Sequence, residues 1–130
     1  VIAFSWIIGF GDNARGGNSD DVERGNVLET VDLIVENSGS VTLGIDDSGE
    51  IGPKSLHIES EDGKSVISLG ENTVDDYVVR TFTNKSTHEG KVSILGNEWD
   101  SSVVCDDPDI LKSIVEEFLS TGDVSIDLLS

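Results

Sequence analysis

The dipeptide Asp62-Gly63 constrains the folding of this chain more than any other pair of residues in it. Both central positions of a type I′ turn need positive φ, which Gly, Asn and Asp adopt at the least cost, so Asp-Gly is a favoured centre for a two-residue hairpin. Apolar residues alternate with polar ones on both sides of it. Folding the chain there sets Glu61 against Lys64, Ile58 against Ile67 and Leu56 against Leu69. One face becomes apolar and the turn is flanked by opposite charges, both favourable across strands. His57 then lies on the less buried face, opposite Ser68.

Around this hairpin the apolar period changes along the chain. Residues 2–8 predict a first strand, ended by Gly9 and Gly11. The glycine-rich stretch 11–18 predicts an irregular loop; its spacing is not G-x-G-x-x-G and no Gly-Lys-Ser/Thr follows, so it is no phosphate cradle. Val27, Leu28, Val31, Ile34 and Val35 recur at helical spacing, with Glu29, Asp32 and Glu36 largely off that stripe. Asn26 with Glu29 resembles a capping box, Asp20 with Glu23 offers an earlier start, and Asn37-Ser38-Gly39 is a stop signal. From Ser40 the period becomes two: Val41, Leu43 and Ile45 predict a half-buried strand, residues 46–50 a turn, and Gly52-Pro53 a further break.

Residues 77–82 and 91–95 predict strands on either side of a polar loop, the second followed by Gly96-Asn97-Glu98-Trp99. Residues 102–105 add a short last strand. Asp107 then caps a second helix with Pro108 at its first position. Leu111, Ile114, Val115 and Phe118 form its buried stripe, Gly122 suits its end, and the apolar tail 124–129 docks on the body. The expected fold is a single α+β domain over 1–130, an antiparallel meander of about six strands with two helices packed on one face.

Composition enters when function is asked of this fold. Lys and Arg number 8 against 26 Asp and Glu, a net charge of −18 spread from Asp12 to Asp127. Such a surface lacks the cations that neutralise phosphates and is repelled by anionic lipid, so nucleic acid and membrane are excluded as partners. Three acidic groups stand out. They are Asp46, Asp47 and Glu50 at one turn, Glu59, Glu61 and Asp62 at the hairpin, and Asp106, Asp107 and Asp109 at the second helix. Together they predict a carboxylate field that steers a basic protein and mimics phosphate toward it. Trp99 and Trp6 are the candidate aromatic anchors, with Trp6 also expected in the core.

No catalytic or metal constellation emerges. Cys105 is the single cysteine, so no intrachain disulfide forms, which fits a reducing compartment. His57 and His88 lie far from it in sequence, leaving no zinc spacing, and residues 46–50 lack the Gly and Glu of an EF-hand. The expectation is no metal and no cofactor. The apolar start at 1–8 has no basic n-region and is too short to span a bilayer, so a cytoplasmic protein is expected.

Three stretches carry a resemblance. They are Val79-Arg80-Thr81-Phe82-Thr83-Asn84, then Val92-Ser93-Ile94-Leu95-Gly96-Asn97-Glu98-Trp99, then Glu117-Phe118-Leu119-Ser120-Thr121-Gly122-Asp123-Val124-Ser125. From Trp6 to Leu129 the chain resembles small bacterial immunity proteins of contact-dependent growth inhibition and other polymorphic toxin systems. The resemblance implies a non-enzymatic protein that binds the toxin domain of its own system and blocks its active site; a monomer or weak homodimer is expected. Toxins of this class are often basic nucleases, which the charge here complements. The motifs are fold signatures, and no contact residue is carried over from the family. Two other classes fit the composition: a halophilic protein whose acidic surface serves solubility, and a small enzyme using Cys105 or a carboxylate pair.

Overall fold

The alternation around Asp62-Gly63 produces the centre of the sheet. In the computed structural model, which describes residues 2–9, 15–19, 23–45, 52–72, 76–83, 90–125 and 128–129, strands β4 (Gly52–Glu61) and β5 (Lys64–Asn72) pair antiparallel. Their register sets Glu61 against Lys64, Ile58 against Ile67, Leu56 against Leu69 and His57 against Ser68. Asp62 and Gly63 have φ of 58° and 78°, as the turn requires.

Strands β1 (Ile2–Ile8), β2 (Arg15–Ser19), β3 (Gly39–Ile45), β6 (Tyr77–Thr81) and β9 (Val104–Cys105) complete a seven-stranded antiparallel sheet around this pair. Its order is β2-β1-β3-β4-β5-β6, and β9 pairs with β5 at Ser65 and Val66. The helices α1 (Arg24–Asn37) and α2 (Pro108–Thr121) pack together on one face. The fold is thus the α+β class with an antiparallel sheet and two helices on one side. Strands β7 (Lys91–Ile94) and β8 (Asn97–Asp100) form a separate hairpin.

The core lies between sheet and helices. Val41, Leu43, Leu56, Ile58, Ile67 and Leu69 point inward from the strands, and meet Val27, Val31 and Ile34 of α1 and Leu111, Ile114, Val115 and Phe118 of α2. Burying each such side chain contributes about 1.5–3 kcal/mol. The tail does dock: Val124 and Leu129 are buried in the same core. Arg80 holds it there, donating to the carbonyls of Val124 and Leu129 and pairing with Asp123 and Glu71 at 3.0 and 3.5 Å.

Five local expectations change. The stretch read as a loop contains β2, because its glycines answer a packing demand. Gly17 lies opposite Trp6, and a Cβ there would stand 2.6 Å from the indole ring. The helix α1 begins at Arg24 with Glu23 as its cap residue, and Asn26 is inside the first turn, its carbonyl taken by Thr30 Oγ1. Neither expected cap is used: Val27, fully buried, already belongs to the packed stripe, so the helix starts ahead of Asn26, and Asp20 lies outside the described residues. Gly52-Pro53 is no break: β4 runs through it with a shift of register between Pro53 and Ser55, the bulge absorbing the missing proline N–H. Residues 97–100 form β8, turning back on β7 through Leu95 and Gly96, whose φ values are 50° and 87°. The predicted last strand shortens to β9, with a 3-10 turn over Ser101–Val103 before it.

Candidate binding face

One face of the sheet carries no helix. Alternation places Ser5, Ile7, Ser40, Thr42, His57, Glu59, Val66, Ser68, Val79 and Thr81 on it, since their neighbours in sequence point into the core. The β7–β8 hairpin folds over one part of this face. Val66, Ile94 and Val104 form a second apolar cluster beneath it, with Val92, Leu95, Trp99 and Val103 packed around. Glu61 Oε1 accepts from the Leu95 N–H at 2.7 Å and ties the hairpin's turn to the end of β4. Lys91 and Asp100, directly opposed, pair at 3.0 Å at its other end.

Between hairpin and sheet lies a cavity of about 320 Å³. Val66, Val103 and Trp99 give it apolar walls, Ser68 and Thr81 oppose one another across β5 and β6, and Glu59, Glu98, Asp100 and Lys91 bring charge. A wider groove of about 520 Å³ continues across β1 and β3, past Thr42, Ser40, Ser5 and Ile7, and the two meet at His57.

His57 sits in a hydrogen-bonded chain. Its Nδ1 lies 2.7 Å from Thr42 Oγ1 and its Nε2 lies 3.3 Å from Glu59 Oε1. An ionised carboxylate only accepts, so in the neutral ring Nε2–H donates to Glu59 and Thr42 donates to Nδ1. Hydroxyl, imidazole and carboxylate in that order resemble a hydrolytic triad. The surroundings differ, because Thr42 and His57 sit opposite one another mid-sheet, where the strands' main-chain amides are spent on the ladder, and an oxyanion site needs free donors. The chain is suited to orienting Glu59 on the open face.

Cys105 is remote from this face. It is directly paired with Ser65, both buried on the helix side, whereas His57 points the other way, so the sheet itself separates thiol and imidazole. Burial pushes the thiol's pKa up from its ordinary value near 9.0, with a main-chain hydrogen bond from Asp107 opposing it and the neighbouring Asp107 and Asp106 charges adding to it. His88 lies outside the described residues. Among the described residues no three His, Cys, Asp or Glu side chains gather as a metal-ligand set.

The predicted acidic groups separate by role. Asp46, Asp47 and Glu50 lie outside the described residues. Glu59 is half-buried on the open face, Glu61 is committed to the Leu95 amide, and Asp62 is exposed in its turn. Asp106, Asp107 and Asp109 are exposed at the start of α2, where Asp107 Oδ1 caps the helix by accepting from the Asp109 N–H at 2.9 Å. Trp99 is half-buried as a wall of the cavity. Trp6 packs against the core beside Phe4, ring centroids 4.9 Å apart. Sequence reasoning missed Glu98, Asp100, Ser68 and Thr81 as neighbours. Their meeting depends on a hairpin whose second strand has few β-favouring residues to announce it.

Residues 5–128 match a family described as a family of unknown function, DUF6911. The chain belongs to this family. Its fold is also similar to the crystal structure of a hypothetical protein from Neisseria gonorrhoeae, with a TM-score of 0.74 at 17% identity, covering 95% of this chain and 90% of that one. At that identity the likeness establishes the shared fold. No curated protein matches the sequence. No helix among the described residues is long and apolar enough to cross a membrane.

Proposed function

We propose that this protein is an immunity protein, which binds a basic toxin domain of the nuclease kind in a stoichiometric complex and blocks its active site. The observation that carries the reading is a net charge of −18 kept on a packed fold. Self-repulsion of this size lowers stability. A surface whose carboxylates stand on an open face, in a turn and at a helix start gives that charge a use, because it attracts a cationic protein and occupies the positions where phosphates would bind. The proposed contacts are Glu59 and Asp62, with Asp106, Asp107 and Asp109, Trp99 as apolar wall, and Asp46, Asp47 and Glu50, which lie outside the described residues. Glu61 contributes by holding the hairpin in place. In this reading the protein acts in the cytoplasm of the producing cell, needs no cofactor and performs no chemistry of its own.

Co-expression with the toxin domain encoded beside its gene tests the proposal. Growth should be rescued, and a one-to-one complex should be recovered at low salt. Its affinity should fall as salt rises, mainly through a slower association rate, since charge steering is screened beyond about 10 Å at 0.1 M. No rescue together with no complex at low salt overturns it.

A further inference from the structure

The cavity beneath the β7–β8 hairpin has a lining whose parts point to one kind of occupant. Its charged residues are three carboxylates, Glu59, Glu98 and Asp100, against one lysine. Lys91 is engaged with Asp100 at 3.0 Å, and Glu59 with the His57 ring at 3.3 Å. Glu98 has no ion pair among the described residues and is exposed at the rim. Ser68 and Thr81 stand side by side on neighbouring strands, half-buried, with no side-chain hydrogen bond among the described residues. Val66, Val103 and Trp99 supply apolar wall beside these polar groups. Trp99 adds a buried indole N–H that has no acceptor among the described residues, a donor that a guanidinium cannot satisfy and that is left to a main-chain carbonyl beside it. Native interiors leave few such groups.

A bare metal ion does not suit an apolar wall, and a purely apolar ligand leaves the carboxylates and hydroxyls unmet. An arginine side chain satisfies both. Its stem can lie along Val66 and Val103 and its planar head against the Trp99 ring, while its five N–H donors reach Glu59, Glu98 and the hydroxyl oxygens of Ser68 and Thr81. A cavity of 320 Å³ is at the lower end of ligand sites, the scale of one side chain with its neighbouring backbone rather than a large cofactor. We infer that this cavity is a receptor for a guanidinium group and, resting on the immunity reading, that the group belongs to an arginine presented by the bound toxin domain.

The test uses the full chain, labelled with nitrogen-15, titrated with N-acetyl-arginine amide and in parallel with N-acetyl-citrulline amide, the same shape without the charge. Saturable shifts should gather at Ser68, Thr81 and the Trp99 indole N–H with the arginine probe and be lost with citrulline. Glu98→Gln, at an exposed position with no ion pair to lose, should weaken the probe roughly two- to fivefold, the range for an exposed charge pair. Ser68→Val, which removes the hydroxyl acceptor and suits a strand position, should weaken it further. Non-saturating shifts scattered over the acidic surface, or equal binding of citrulline, overturn the inference. The probe needs no toxin, so a cavity that takes it in a protein that rescues no cell removes the immunity reading and keeps the guanidinium site. A cavity that ignores it beside a genuine toxin complex does the reverse.

Discussion

At Gly39 the chain leaves α1 and enters β3 with φ at +146°, and an added Cβ would stand 2.1 Å from the Ile7 carbonyl oxygen. Both strain and collision fall on the backbone, which cannot turn aside. Gly39→Ala should therefore destabilise by about 2–4 kcal/mol, measured by chemical denaturation. Cys105 makes a different residue-scale prediction. Its pKa is raised in the fold, so its contribution is fully present below the unfolded value near 9.0 and is lost as pH rises through the folded value. The protein should lose stability above about pH 9, and Cys105→Ala should flatten that alkaline limb while costing stability at neutral pH through the void it leaves. Alkylating reagents should modify the thiol only when the protein is unfolded. Lys112, bonded to Asp32 at 2.7 Å between the helices, is a surface pair and should matter little.

Among the elements, α2 shows how one side chain can serve both fold and charge. Its N-cap Asp107 bonds the Asp109 amide, Pro108 fills the first helical position and Gly122 closes the end at φ 78°. Asp107→Ala should cost about 1 kcal/mol, whereas Asp107→Asn keeps the cap and removes the charge. Comparing the two by thermal unfolding and by toxin binding separates the cap from the proposed contact: the Asn variant should melt like wild type and bind more slowly. Strand β6 presents the other case. It lies at the edge of the sheet with Tyr77, Val78 and Val79 exposed, yet its Arg80 is turned inward, 12% exposed, to hold the C-terminal segment. Arg80→Met leaves two main-chain carbonyls and two carboxylates without their donor. It should cost about 2–4 kcal/mol and speed amide exchange at Val124 and Leu129 before the rest of the core.

Across the whole molecule, charge and packing oppose one another. The continuous core supplies the favourable term, and 26 carboxylates against 8 cations supply a repulsion that salt screens. The protein should unfold cooperatively in dilute buffer and gain a few degrees in Tm with moderate salt. A halophilic protein would instead be unfolded in dilute buffer, so a circular-dichroism melt at low and high salt decides between the two.

Those features that local chemistry controls were legible in the sequence. The register of β4 against β5, the inward stripes of both helices, the cap of α2 and the docking of the tail follow from period, turn residues and capping preference, which act over a few neighbouring residues. The strands β2 and β8 were not legible. The Gly-rich β2 is extended because the Trp6 ring needs its empty space, and β8 pairs through a turn held partly by Glu61 from a distant strand. The candidate site was half legible. Its acidic character and Trp99 are written in the composition, and His57 could be placed on the outer face by alternation alone. That Glu59, Glu98, Ser68, Thr81 and Trp99 enclose one space was decided only by tertiary structure, because the hairpin comes to lie over the sheet through contacts between residues far apart in the chain, and no local propensity encodes that distance.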